Sequence, residues 1–277
     1  MTAVEILVIL DGAPDGAGSL RRARMPVLDA LAASGSTTRV AVTPPHLPAG
    51  SETGIPVLLG HTPSAPVGRG WVDAAAYGVA VRPGSTPLRA DVLREDGTRA
   101  SADEARAVAS AVGAVHTRGH RLLLDEMRAL SDRSTELASR GRLRVWDAGT
   151  TLPRVLDERT VVVAAPGAAA GCARLLGARV VVPEGATGDL DTDLAAKARA
   201  ALDAVRGASR VVVHVGGPDE AAHRRDQAQK IAALEAVDRE LLAPLAERGG
   251  PLTVAADHGT CPLTGEHDRA PVTVVRA

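Results

Sequence analysis

The chain has 277 residues, 45% hydrophobic and 23% charged, with a formal net charge of −1. That length accommodates one large domain, or a main domain carrying a smaller insertion. Near-neutral charge, the absence of Phe and the scarcity of other aromatics exclude a basic stacking surface for single-stranded nucleic acid.

The opening run VEILVIL (4–10) is too short for a signal-peptide core or a membrane span and reads as a buried strand. MPVLDALAASG (25–35) reads as a helix with Pro26 in its first turn and Gly35 as its stop. Further short apolar runs follow: RTVVVAA (159–165), ARVVVP (178–183), RVVVHV (210–215) and LTVAA (252–256). Runs this short and Val-rich suit the central strands of a parallel sheet. Helical patterns separate them at 166–177, 190–207 and 226–250, the last with Ile231, Leu234, Val237, Leu241 and Leu245 as its apolar stripe. Strand–helix alternation predicts an α/β fold, a doubly wound and mostly parallel sheet, whose ligands gather beyond the carboxyl ends of the strands.

From 82 to 145 the long Val-rich runs vanish, and Arg, Pro and Gly become more frequent. This predicts a core of 1–81 with 146–277, and a small inserted cap of 82–145. Cys172 and Cys261 form no disulfide framework or CxxC metal pair and fit a reducing cytoplasm. Lysine occurs only at 197 and 230 against abundant Arg, which reads as base-composition bias.

Four stretches carry polar residues where such a fold collects ligands. Asp11 directly follows the first strand and precedes Gly12; taken alone, a turn cap explains it better than a metal ligand. Ser51 lies between glycines in LPAGSETG (47–54), where helix capping is the plainer reading. Asp219 and His223 follow a strand at a spacing that shares one helix face, as metal ligands or as an ion pair. Asp257 and His258 end the last apolar run, and His267 follows in the same loop. Together these carboxylates and imidazoles, without thiolate, suit Mn or Zn, with Mg possible. A Ser beside two such ions is a candidate nucleophile for phosphoryl transfer.

The order of the motifs ILVILDG, MPVLDALAASG, PAGSETGIPVLLGHTP, GRGWVDAAAYGVAV, PEGATGDLDTDLAAKARAAL, VHVGGPDEAAH and AADHGTCPLTGEHDRAPVTVV resembles the cofactor-independent phosphoglycerate mutases. The similarity is to their shorter archaeal type, within the alkaline-phosphatase-like metalloenzymes. The resemblance implies that Asp11, Ser51, Asp257 and His258 surround one divalent ion, while Asp219, His223 and His267 bind a second. Ser51 would carry the phosphoryl group transiently. His214 is a core histidine or a supporting residue behind the ligands; His46, His61, His116 and His120 read as surface or cap residues.

The departures from that family concern substrate. PLRADVLREDG (87–97) resembles its Arg-containing strand, making Arg89 a candidate anion ligand, with Arg69 and Arg121 as further candidates. The basic cluster expected next is replaced by TRASADEARA, and Glu184 stands near the substrate Lys of the longer bacterial type. The expectation is a cytoplasmic enzyme for a small phosphorylated carboxylate or similar phosphoester, a mutase or a phosphatase, with no nucleic-acid or membrane partner. Hydrolysis of a phosphonate or sulfate ester and a non-catalytic metal-binding role are the alternatives. Oligomeric state is not legible.

Overall fold

In the computed structural model, which describes residues 3–277 apart from the side chains of residues 127 and 128, the elements alternate much as the apolar runs predict. The first part contains β1 (Glu5–Leu10), α1 (Ser19–Arg22), α2 (Pro26–Ser34), β2 (Ser36–Val40) and α3 (Ser51–Leu58). The middle contains α4 (Arg69–Tyr77), β3 (Pro87–Val92), α5 (Ala102–Val112), β4 (His116–Arg118), β5 (Arg121–Asp125), α6 (Glu126–Ala129), α7 (Asp132–Ser139) and β6 (Leu143–Val145). The chain then runs through β7 (Thr160–Val163), α8 (Ala168–Leu176), β8 (Arg179–Val181), α9 (Leu194–Ala204), β9 (Arg210–Val215), α10 (Gly217–His223) and α11 (Gln227–Val237). A π-helical turn, Asp238–Leu242, leads into α12 (Ala243–Glu247), β10 (Leu252–Ala255), β11 (Gly259–Thr260), β12 (His267–Asp268) and β13 (Val272–Arg276).

Two units result, one formed by the chain up to Ser64 together with Pro153–Ala277, the other by Ala65–Leu152. The large unit holds a seven-stranded sheet in the order β2-β13-β10-β1-β9-β7-β8. Strands β10, β1, β9, β7 and β8 are parallel, and β13 runs antiparallel to both β10 and β2. The central strands are Val, Leu and Ile on both faces because helices bury them from both sides. Register brings the ends of three neighbours level: Leu10 of β1 lies beside Val215 of β9, and Ile9 beside Ala255 of β10. The edge strand β2, STTRV, is largely exposed and has no apolar run to announce it.

The long C-terminal helix departs from the expected stripe. Lys230, not Ile231, is fully buried, together with Leu234, Val237, Leu241 and Leu245. The π-helical turn interrupts the helix, and its buried Asp238 accepts from Val27 N (3.0 Å) and Leu28 N (2.9 Å). It thereby satisfies N–H groups that the first turn of α2 leaves open.

The inserted unit begins earlier and ends later than the predicted 82–145. Helix α4 belongs to it because Gly70 packs directly on β3; a Cβ there would lie 2.0 Å from the Pro87 carbonyl oxygen. A parallel bridge between Val67 and Thr150 joins its two ends. The unit contains an antiparallel sheet, β4-β5-β3-β6, built without long Val-rich runs. Leu88, Ala90, Val92, Leu122, Leu124 and Leu143 turn one face into a core with residues of α5, α6 and α7. Strand β3 alternates these with Arg89 and Asp91, so no continuous apolar run marks it.

Candidate metal centre

Because β10, β1 and β9 are adjacent and parallel, the residues that follow them converge at one sheet end. Asp11 follows β1, Asp257 and His258 follow β10, and Asp219 and His223 ride on α10 after β9. Gly12 has φ +59°, and a Cβ there would meet Asp219 Oδ1 and Thr260 Oγ1, both at 2.5 Å. Only glycine lets the three loops approach this closely. Gly54 does the same for α3: a Cβ would lie 1.9 Å from the Asp257 carbonyl. That contact seats Ser51, the first residue of the helix, among the acidic groups.

Ser51 Oγ stands 3.5 Å from Asp11 Oδ1 and 3.3 Å from His258 Nε2. Gly50, not Ser51, occupies the capping position of α3, and Asp11 stands in the turn after β1. His258 Nε2 is also 3.2 Å from Asp11 Oδ1 and 3.6 Å from Asp257 Oδ2. On the other side, His223 Nε2 lies 3.1 Å from Asp219 Oδ2 and 3.1 Å from His267 Nε2. Thus all seven residues singled out in the sequence meet in one place. Ligand atoms of Asp11, Asp257 and His258 lie within 4.8 Å of one another, as do those of Asp219, His258 and His267.

The imidazoles are oriented from behind. His223 Nδ1 pairs with the Gly265 carbonyl at 2.8 Å and His267 Nδ1 with that of Ala49 at 3.2 Å. A carbonyl only accepts, so these bonds place the proton on Nδ1 and leave the Nε2 lone pair facing inward. His258 Nδ1 is 3.2 Å from Thr260 Oγ1, which donates to Asp219 Oδ1. Sequence reading missed Thr260, since nothing local distinguishes a Thr after Gly in a turn. His214, undecided in the sequence, points Nε2 at Asp11 Oδ2 from 3.2 Å without hydrogen-bond alignment.

Electrostatics follow from burial. Asp257 is 0% exposed, and desolvation together with the neighbouring Asp11 charge raises its pKa. Burial also opposes ionisation of Asp11, but the neighbouring imidazoles of His214 and His258 outweigh it and hold that carboxyl far below its usual range. For His258 burial opposes the charge, yet Asp257 and Asp11 lift its pKa to about 10. A hydrogen bond donated to Asp219 leads the rise at His223, while burial and the charge of His258 lower His267.

This set fits divalent cations. Three buried carboxylates share one site, and Asp257 Oδ2 has no hydrogen-bond partner. Such a group is costly to bury unless a cation takes it up. The donors are oxygen and imidazole nitrogen without thiolate, which suits Mn or Zn.

The predicted substrate arginines all lie in the inserted unit. Arg89 is buried there, its Nε 3.0 Å from Asp91 Oδ1 and 3.9 Å from Asp73 Oδ2. Arg69 and Arg144 lie over the Trp146 ring, each 4.1 Å from its centroid. Arg121 pairs in register with Asp91 and with Arg118. His116 stacks on Tyr77 and His120 approaches Asp91, so neither is a simple surface residue. Among the described residues no helix is long and apolar enough to cross a membrane.

Known proteins share features of sequence and fold with this chain. A 2,3-bisphosphoglycerate-independent phosphoglycerate mutase 1 from Archaeoglobus fulgidus is 27% identical, over 98% of this chain and 88% of its own. A 2,3-bisphosphoglycerate-independent phosphoglycerate mutase from Ignicoccus hospitalis is 37% identical over 45% of this chain and 31% of its own. The structure of the PH0037 protein from Pyrococcus horikoshii superposes with a TM-score of 0.81 and 21% identity, covering 100% of this chain and 88% of that one, and shows the same fold. The model of the Metalloenzyme superfamily matches residues 4–277, and the chain belongs to that superfamily.

Proposed function

We propose that the chain is a two-metal phosphoryl-transfer enzyme that works through a phosphoserine at Ser51 on a small anionic phosphomonoester. The observation that carries this reading is the place of Ser51 Oγ, 3.3 Å from His258 Nε2 and 3.5 Å from Asp11 Oδ1, at the N-terminus of α3. A helix N-terminus favours the negative charge of a phosphoryl group. Asp11, Asp257 and His258, with Ser51, would hold one ion, and Asp219, His223 and His267 the other. Bound there, the ions supply a lowered hydroxyl pKa and neutralisation of phosphoryl charge.

The residues of the chain then divide the work. Ser51 gives up its hydroxyl proton, and its Oγ–phosphorus bond forms as the ester bond of the substrate breaks. The proton lost by Ser51 balances the one that the departing alkoxide takes up. In the second half the phosphoryl group leaves Ser51 for another substrate oxygen, giving a mutase, or for water, giving a phosphatase. His223 and His267, each locked by a backbone carbonyl, keep their geometry through both transfers.

The names of the relatives support a phosphorylated carboxylate as substrate and mutase chemistry as the first activity to assay. Within the inserted unit, Arg89, Arg69 and Arg121 are the candidates for anion recognition, and the guanidinium of Arg89 is engaged by two carboxylates. Cys172 and Cys261 form no disulfide with each other, which supports a reducing compartment. The test is a screen of phosphomonoesters, phosphonates and sulfate esters with Mn, following isomerised product and released anion. Acid quench during turnover should trap phosphate on Ser51, and Ser51→Ala should lose on the order of 10⁴-fold or more in turnover. Undiminished turnover by that variant would show that Ser51 is not the nucleophile.

A further inference from the structure

Basic residues in this chain are almost entirely arginine, and lysine stands only at 197 and 230. Both lysine side chains are 0% exposed. On a surface the two residue types interchange readily, but inside a protein they do not: guanidinium is a planar fork, ammonium a compact group with three donors. A chain that uses Arg nearly everywhere and keeps Lys at two buried positions marks those positions as needing ammonium geometry.

Lys230 reaches from α11 to three oxygens. Its Nζ donates to the carbonyls of Gly12 (2.8 Å) and Thr260 (2.7 Å) and pairs with Asp15 Oδ2 at 2.8 Å. Gly12 directly follows Asp11, and Thr260 lies two residues after His258. The ammonium therefore joins the loop after β1 to the loop after β10. Thr260 extends the link, because its N–H approaches the Gly12 and Pro14 carbonyls and its hydroxyl donates to Asp219 Oδ1. Lys197 acts one strand away. From α9 its Nζ donates to the His214 carbonyl at 2.9 Å, near the end of β9, and the His214 ring faces Asp11 Oδ2.

We propose that Lys230 and Lys197 are positioning residues of the metal centre: Lys230 clamps the two ligand loops at a fixed separation, and Lys197 fixes the strand end from which Asp219 and His223 depart. The proposal rests on the two-metal reading above and adds the residues that shape the site without touching an ion. It also gives the centre two buried positive charges behind its three carboxylates.

The test compares wild-type chain with Lys230→Met, Lys230→Arg and Lys197→Met, measuring Mn²⁺ and Zn²⁺ binding by calorimetry and the ion-free melting temperature separately. Lys230→Met should bind each ion about 10- to 100-fold more weakly, in the range found for residues that orient metal ligands. Lys230→Arg should not rescue it, because a planar fork cannot meet three oxygens placed around an ammonium. Lys197→Met should lose about tenfold or less. The visible spectrum of bound Co²⁺ should also change in Lys230→Met at saturation, which a purely global loss of stability would not produce. A lower melting temperature with wild-type ion affinity and an unchanged Co²⁺ spectrum would overturn the proposal. Should Lys230→Met fail to fold, Lys230→Arg carries the same test, and wild-type affinity with an unchanged Co²⁺ spectrum there would overturn it equally. Failure of the wild-type chain to take up either ion would instead remove the two-metal reading itself, and the clamp with it.

Discussion

In the large unit, Asp257 is wholly buried and its Oδ2 has no hydrogen-bond partner. In the inserted unit, the nearly buried Asp91 receives bonds from Arg89 Nε (3.0 Å) and from Trp146 Nε1 (2.8 Å). One carboxylate is left for something the chain does not supply; the other is answered by the chain itself. The contrast extends to the histidines. His223 and His267 hold backbone carbonyls through Nδ1 and turn their Nε2 atoms toward each other, whereas His116 packs its ring on Tyr77. Burial thus serves two ends here: a carboxylate and imidazole cluster that fits cations in one unit, and the Arg89–Asp91 ion pair in the other.

The widest separation between the units should come from neutralising each carboxylate system in turn. Asp257→Asn should remove one ion outright, with a loss on the order of 10³-fold in affinity or more. The same change should stabilise the ion-free chain. The pKa of Asp257 is raised in the fold, so its ionisation opposes folding at any pH above the ordinary carboxylate range. Replacing it by a neutral amide should lift the ion-free melting temperature by ~2–4 °C. A lowered melting temperature with retained metal would dissolve the contrast.

Arg89→Ala should do the reverse: metal content unchanged, and the inserted unit destabilised by about 3–5 kcal/mol because Asp91 and Asp73 lose their cation. Calorimetry with metal analysis on one sample decides it. If instead stability holds and only KM rises, Arg89 is a substrate residue and the ion pair is secondary.

A smaller effect comes from pH. The His258 pKa, about 10, lies above the ordinary imidazole value of 6.5, so the ion-free fold keeps that proton at neutral pH. The proton stabilises the ion-free fold fully below pH 6.5, and its contribution fades as pH rises toward about 10. An entering ion must displace it, so affinity should rise with pH by up to ~10-fold per unit between pH 7 and 9. Calorimetry in buffers of different ionisation enthalpy counts the released proton, and binding without proton release would exclude this state of His258. The smallest effect concerns the inserted unit alone. Ser101 and Glu104 form a capping box on α5, and Ser101→Ala should cost about 1 kcal/mol without touching metal affinity.

The same contrast explains what the sequence could and could not disclose. Strands β1, β7, β9 and β10 are legible because both faces are buried, which writes them as unbroken Val, Ile and Leu. The candidate ligands after three of them are legible because polar residues follow such runs, Asp11 and Asp257 directly and Asp219 after two glycines and a proline. Strand β3 is not, since Arg89 and Asp91 interrupt it, and β2 is not, since STTRV is an exposed edge. The burial of Lys230 in place of Ile231 is a matter of helix phase beside a π-helical turn, and its partners lie in two distant loops. No window of sequence contains that contact. A signal did exist in composition, where two lysines stand among many arginines, but only the fold shows where the pair is placed.

The most direct test of the two-metal centre is a titration of the chelated chain with Mn²⁺ or Zn²⁺, read by calorimetry and by elemental analysis after gel filtration. About two equivalents per chain, retained in Ser51→Ala and reduced in Asp257→Asn, are expected from this donor set. A native chain that takes up neither ion would contradict the account.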